Sequence, residues 1–144
     1  PQDEALAALG CTGKAYDLVS CGAGARAAFV TYGSETAPVL GAAALLAQQG
    51  VPVDVYKLCV IHPLPRELCA ALSGYAAIVF AEECVCSGGI GEHLAAALLA
   101  SGYRGRYRHV ALPCRGVTHA SADELRGLFG LDAQALAQTE RGML

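Results

Sequence analysis

A chain of 144 residues has the length of one domain and buries enough surface for one continuous core. Only 16% of its residues are charged against 54% hydrophobic, which excludes intrinsic disorder. A formal charge of −3 gives no electrostatic basis for holding nucleic acid or an anionic membrane surface, so neither is an expected partner.

Arg104, Arg106 and Arg108 form the one basic cluster, spaced as the solvated face of a strand. The seven cysteines, at positions 11, 21, 59, 69, 84, 86 and 114, are odd in number, and several sit inside apolar patterns where a thiol acts as a small hydrophobe. No apolar run reaches ~18 residues and no basic segment opens the chain. Free thiols in a reducing cytoplasm are the expectation. Pro1 stands where an initiator methionine would, which suggests a piece of a longer protein.

Residues 1–13 have no period and read as a linker remnant, leaving 14–144 as the domain. Ala15 to Val19 is a short strand. Ala27 to Tyr32 is apolar on both faces, as a central parallel strand should be. Gly33-Ser-Glu35 opens a helix with Pro38 in its first turn, a buried stripe of Val39, Ala43, Leu46 and Ala47, and Gly50 as its stop. Val51 to Val60 is the third strand, with Pro52 tolerable at its start. A helix over Pro65 to Leu72 follows, then a fourth strand over Ala76 to Ala81. Ile90, Leu94, Ala97 and Leu98 share one face of a helix running from Gly88 to Ala100. Tyr107 to Leu112 is the last strand. Ser121-Ala-Asp-Glu124 is a capping box for a helix ending at Gly130, and Leu131 and Leu136 staple the start of a final helix behind Asp132. Strands alternating with helices predict a mostly parallel α/β sheet covered on both faces.

Gly88-Gly-Ile-Gly91 invites a dinucleotide reading, but Leu94 stands where the fingerprint needs its third glycine. Close packing of a helix start explains the glycines better. Cys84-Val-Cys86 is half of a metal site at most, with Cys114 and His119 the only distant residues able to complete it. Two unpaired loop thiols are the plainer reading. His62 lies in a turn, His93 on a helix start and His109 within a strand, where a half-buried, satisfied side chain is expected. Glu82 and Glu83 are the foremost candidates, because open α/β sheets place ligands or partner contacts at the carboxyl ends of central strands. A solvated strand end is the alternative. The loop Arg115-Gly-Val-Thr-His119 reaches the same edge if the last strand is parallel; a plain connection is the alternative there.

In this order and spacing, Thr31-Tyr-Gly-Ser34, Ile61-His-Pro-Leu64, Phe80-Ala-Glu-Glu83, Gly88-Gly-Ile-Gly91, His119-Ala-Ser121 and Gly130-Leu-Asp132 resemble the C-terminal domain of transketolase-type enzymes, from Gly13 to Gln138. Gly13-Lys-Ala, Ile61-His-Pro-Leu-Pro and Ile90-Gly-Glu-His are similar to the 1-deoxy-D-xylulose-5-phosphate synthase branch. Ala120 and Cys114 depart from it, standing where glycine and aspartate are usual.

The resemblance implies a three-layer α/β/α fold with a five-stranded sheet in the order 1-3-2-4-5, strand 1 antiparallel. It places the switch point between strands 2 and 4, with Ser34 and Glu82 facing each other across it. Ser34, Glu82, Glu83, Arg115 and His119 are then switch-point or interface residues, and no catalytic, cofactor or metal role falls on this chain. Gly-Asp-Gly and asparagine, which hold thiamine diphosphate and its magnesium in such enzymes, are absent here. Both cofactors belong, by that resemblance, to the full-length transferase of isoprenoid and thiamine biosynthesis, whose preceding domains and homodimer partner this domain would contact. An apolar surface near Tyr32, Cys84, Val85 and Val117 is expected at those contacts. Other readings are a transketolase, a 2-oxo-acid dehydrogenase beta subunit, or a non-catalytic module that binds a regulator.

Overall fold

A computed structural model describes residues 13–114, 116 and 120–144. The linker reading of residues 1–13 therefore falls almost wholly outside the described residues, as do Arg115, Val117 and His119.

Five strands form one sheet: β1 (Tyr16–Ser20), β2 (Ala27–Thr31), β3 (Val53–Leu58), β4 (Ala77–Val85) and β5 (Arg106–Leu112). Their order is β1-β3-β2-β4-β5, with β1 antiparallel to β3 and every other pair parallel, as the resemblance implies. The helices are α1 (Thr36–Gln48), α2 (Leu68–Leu72), α3 (Ile90–Ala100), α4 (Ala122–Phe129) and α5 (Ala133–Met143).

The three layers follow from the period of two along the central strands. Ala27 and Phe29 of β2, with Val79 of β4, face α1 and α5 and pack on Val39, Leu46 and Leu136. Ala28 and Val30, with Ile78 and Phe80, face α2 and α3 and pack on Leu68, Leu72, Leu94 and Leu98. Each of these leucines is essentially removed from water, a burial that contributes roughly 1.5–3 kcal/mol apiece.

Local signals set the helix ends. Ser121 and Glu124 form a reciprocal capping box on α4, and Gly130 ends it in the left-handed conformation. Asp132 caps α5, and both staple leucines, Leu131 and Leu136, are fully buried. Arg106 and Arg108 lie exposed on β5, the outer strand of the sheet.

Several boundaries differ from the sequence reading by one to four residues. The strand read as Val51 to Val60 is shorter, and the helix read from Pro65 begins at Leu68. β4 does not stop at Ala81 but runs on to Val85, regaining its pairing with β5 at Leu112 after a register shift. The supposed loop after Ala81 is thus mostly strand, and Glu82 and Glu83 lie within it. Among the described residues, no helix is long and apolar enough to cross a membrane.

Candidate functional site at the carboxyl edge of the sheet

β2 and β4 are parallel neighbours that connect onward to opposite faces of the sheet, so their carboxyl ends open the crevice where such sheets place ligands. Thr31 closes β2 by donating its hydroxyl to the Ala81 carbonyl at 2.9 Å. Tyr32 and a single 3-10 turn, Gly33–Glu35, then lead into α1, with Gly33 at φ +62°.

Glu82 sits at the centre of this edge with a side chain that has no exposure at all. Four donors converge on its carboxylate. Tyr32 donates its hydroxyl to Oε2 at 2.7 Å, and the Ile90 N–H reaches the same oxygen at 3.2 Å. The Gly91 N–H reaches Oε1 at 3.0 Å, and His109 Nε2 lies 2.6 Å from it. Burial pushes the Glu82 carboxyl up, but the bonds from His109, Gly91 and Tyr32 outweigh it and hold it below its ordinary value. An ionised carboxylate only accepts, so His109 donates through Nε2. The two amides belong to the first turn of α3, whose unpaired N–H groups and dipole favour a negative charge.

The glycines serve this contact. A Cβ on Gly89 would meet Glu82 Oε1 and come within 2.9 Å of the Val85 carbonyl; one on Gly91 would strike the His109 ring and Phe80. That is the close packing expected of Gly88-Gly-Ile-Gly91, and it explains the motif without a nucleotide.

Glu83 points the other way and joins a second cluster. Ser34 donates to its Oε2 at 2.6 Å, and Arg126 Nη2 pairs with Oε1. The same guanidinium reaches Glu35 Oε2 through Nε at 3.3 Å and Asp123 through Nη1 at 3.0 Å. Glu35 is almost wholly buried, and its Oε1 has no hydrogen-bond partner among the described residues. Burial, then the Glu83 charge, push the Glu35 carboxyl up to about 7 against the pull of Arg126. Beside this cluster lies a small cavity of about 200 Å³ lined by Leu112, Leu125 and Leu131 together with Glu83 and Arg126.

Of the residues singled out from sequence, Ser34, Glu82 and Glu83 do come together at the switch point. Ser34 pairs with Glu83 rather than Glu82, because adjacent strand residues face opposite sides and Tyr32 takes the Glu82 side. Tyr32 accordingly turns inward, its ring tilted against Phe80, and adds little to the expected apolar rim. Val85, with Val60 and Ile61 beyond the end of β3, supplies exposed apolar surface at this edge. Cys86 is a free thiol just past the end of β4, as expected, but Cys114 Sγ lies 3.0 Å from its sulfur.

His109 is half-buried and satisfied within its strand as expected, but sequence reasoning missed that Glu82 is its partner, and missed Arg126, Glu35 and the hydroxyl of Tyr32. The one signal available was register, since β4 pairs Phe80 with His109 and so sets the imidazole on the Phe80–Glu82 face.

Chemically, both glutamates are held. Glu82 has no face open to a substrate, and Glu83 is held by a serine and an arginine. Among the described residues, no three His, Cys, Asp or Glu side chains gather in a way that could hold a metal ion. These residues therefore do not fit a magnesium–diphosphate site.

Comparison with known proteins places the fold in a family. The family profile "Transketolase, C-terminal domain" matches residues 18–136. The 1-deoxy-D-xylulose-5-phosphate synthase of Magnetococcus marinus is 34% identical over 124 residues, covering 84% of this chain and 20% of the relative. That of Corynebacterium glutamicum strain ATCC 13032 is 32% identical over 115 residues, covering 80% and 18%. The chain thus spans about a fifth of the length of these curated relatives. Among solved structures, an inactive beta4 tetramer of a split-gene transketolase superposes with a TM-score of 0.78 at 26% identity, covering 90% of this chain and 42% of that one. A Pichia stipitis transketolase shares the fold alone, with a TM-score of 0.62 at 19% identity over 90% of this chain and 18% of its own. The chain belongs to the transketolase C-terminal domain family.

Proposed function

We propose that this chain is the C-terminal domain of a 1-deoxy-D-xylulose-5-phosphate synthase, and that it serves domain packing and assembly rather than chemistry. In the intact cytoplasmic enzyme, a homodimer, the preceding domains hold thiamine diphosphate and magnesium. That enzyme condenses pyruvate with glyceraldehyde 3-phosphate and releases carbon dioxide. The synthase relatives support the reaction, and the saturated Glu82 carboxylate supports the division of labour, because a group holding four donors has no lone pair left for proton transfer. Ser34 and Glu83, with exposed Val60, Ile61 and Val85 on the same edge, are the surface we assign to the neighbouring domain.

The test is to express this chain and the uninterrupted polypeptide from its reading frame, and to follow carbon dioxide release from the two substrates. Turnover by the longer polypeptide and none by the chain alone is the expected result. Turnover by the chain alone would overturn the assignment.

A transketolase is the second reading, favoured by the split-gene structure. Ketol transfer between sugar phosphates by the longer polypeptide, with no pyruvate-dependent release of carbon dioxide, would decide for it.

A further inference from the structure

Cys86 and Cys114 stand apart from the Glu82 and Arg126 clusters and have no part in the function proposed above. Both are exposed, and their sulfurs lie 3.0 Å apart. The backbone fixes this approach: β4 and β5 regain their pairing at Val85 and Leu112, and the Cys86 N–H then donates to the Leu112 carbonyl at 2.8 Å. The two thiols thus leave neighbouring parallel strands just past their last paired residues. A disulfide needs an S–S length of ~2.05 Å, so closing the bond asks for about 1 Å of movement between two solvent-facing side chains. Cys21 is also exposed, whereas Cys59, Cys69 and Cys84 are half-buried.

We infer that Cys86 and Cys114 form a reversible disulfide that ties the end of β4 to the end of β5 when the chain meets a small-molecule disulfide of the glutathione type. The chemistry is two successive exchanges. One cysteine thiolate attacks the small disulfide, forming a mixed disulfide and releasing one small thiol. The other cysteine thiolate attacks the protein sulfur of that mixed bond, forming Cys86–Cys114 and releasing the second small thiol. The protein dithiol is oxidised by two electrons and loses two protons, and the small disulfide is reduced to two thiols. A small dithiol reverses both steps. The Cys86 thiol is held above its ordinary value, first by its hydrogen bond with Cys114, so exchange should quicken as pH rises from about 7 to about 9.

The experiment is to incubate the 144-residue chain with oxidised glutathione, block remaining thiols with iodoacetamide and map the peptides by mass spectrometry. The expected product is one cross-linked peptide pair joining Cys86 to Cys114, two hydrogens lighter than the reduced pair and cleaved by dithiothreitol. Closing the loop between them should also raise the thermal midpoint by about 5 °C. Cys86→Ser and Cys114→Ser, both on the exposed surface, should each leave glutathione trapped on the remaining partner. Stable glutathione adducts on both cysteines of the unmutated chain would overturn the inference. A cross-link through any other cysteine, or no reaction at all, would do the same.

Discussion

Replacing Glu82 with glutamine removes the charge at the centre of the carboxyl edge while keeping the size of the side chain. The wild-type carboxylate accepts from four donors, two on each oxygen. Glutamine has one accepting oxygen. If that oxygen replaces Oε1, Gly91 and His109 keep their bonds; the new NH2 group then faces the Tyr32 hydroxyl, which can turn to accept, and the Ile90 N–H, which cannot. One buried amide is orphaned, at about 1–3 kcal/mol, and the surviving bonds lose their charge assistance, about 1 kcal/mol more. The loss of a negative charge at the start of α3 adds about 0.5 kcal/mol. The sum is about 2.5–4.5 kcal/mol, or a fall of about 10 °C in thermal midpoint for a chain of this size. Circular dichroism melts at neutral pH measure it. Because the folded Glu82 carboxyl lies below its ordinary value of 4.5, its stabilisation is present above that pH and is lost as pH falls below it. The gap between wild type and Glu82→Gln should therefore narrow in acid. A fall of less than about 3 °C, or a gap independent of pH, would refute the four-donor account.

Glu140 is wholly buried with neither oxygen bonded among the described residues, and burial pushes its carboxyl up to about 8. From pH 4.5 to 8 the folded chain keeps a proton that the unfolded chain gives up, so stability falls as pH rises across that window. Glu140→Gln should be near neutral at about pH 4.5 and stabilising by about 4 kcal/mol at about pH 8, read from urea midpoints. Arg126→Ala leaves Glu35 and Glu83 without their shared cation and should cost about 2–3 kcal/mol at about pH 8, and less at about pH 6, where Glu35 holds its proton more fully. Gly91→Ala drives a methyl group into the His109 ring and within 2.8 Å of Phe80, for a loss of about 2–3 kcal/mol. Gly127→Ala, in open space on α4, should instead gain about 0.5–1 kcal/mol in the same melts.

Much of the fold was legible because local and global signals agree. The unbroken apolar run of Ala27 to Val30 marks a strand buried on both faces, and the capping box at Ser121 marks a helix start regardless of what packs on it. Strand order and the direction of β1 came from family resemblance; no periodicity in one chain encodes them. The extension of β4 was hidden because two consecutive carboxylates read as a strand end, not as strand interior. A strand swallows a glutamate only when remote donors satisfy it, and these donors come from Tyr32 and His109. Ser34, Glu82 and Glu83 could be found as strand-end polar residues. Arg126 could not, since it meets Glu35 across 91 positions of chain, a pairing set only by where α4 packs. The Cys86–Cys114 approach was invisible for the same reason: it depends on the register that β4 and β5 regain at Val85 and Leu112.

The division of labour proposed for this domain rests on Glu82 acting on structure and not on substrate. The most direct measurement is turnover per folded enzyme for Glu82→Gln in the intact polypeptide, made below its lowered midpoint and paired with its sedimentation behaviour. The account predicts turnover within about threefold of wild type, together with weakened assembly or stability. A fall of several hundred-fold, about 3.5 kcal/mol of transition-state stabilisation, with assembly and midpoint unchanged, would contradict it.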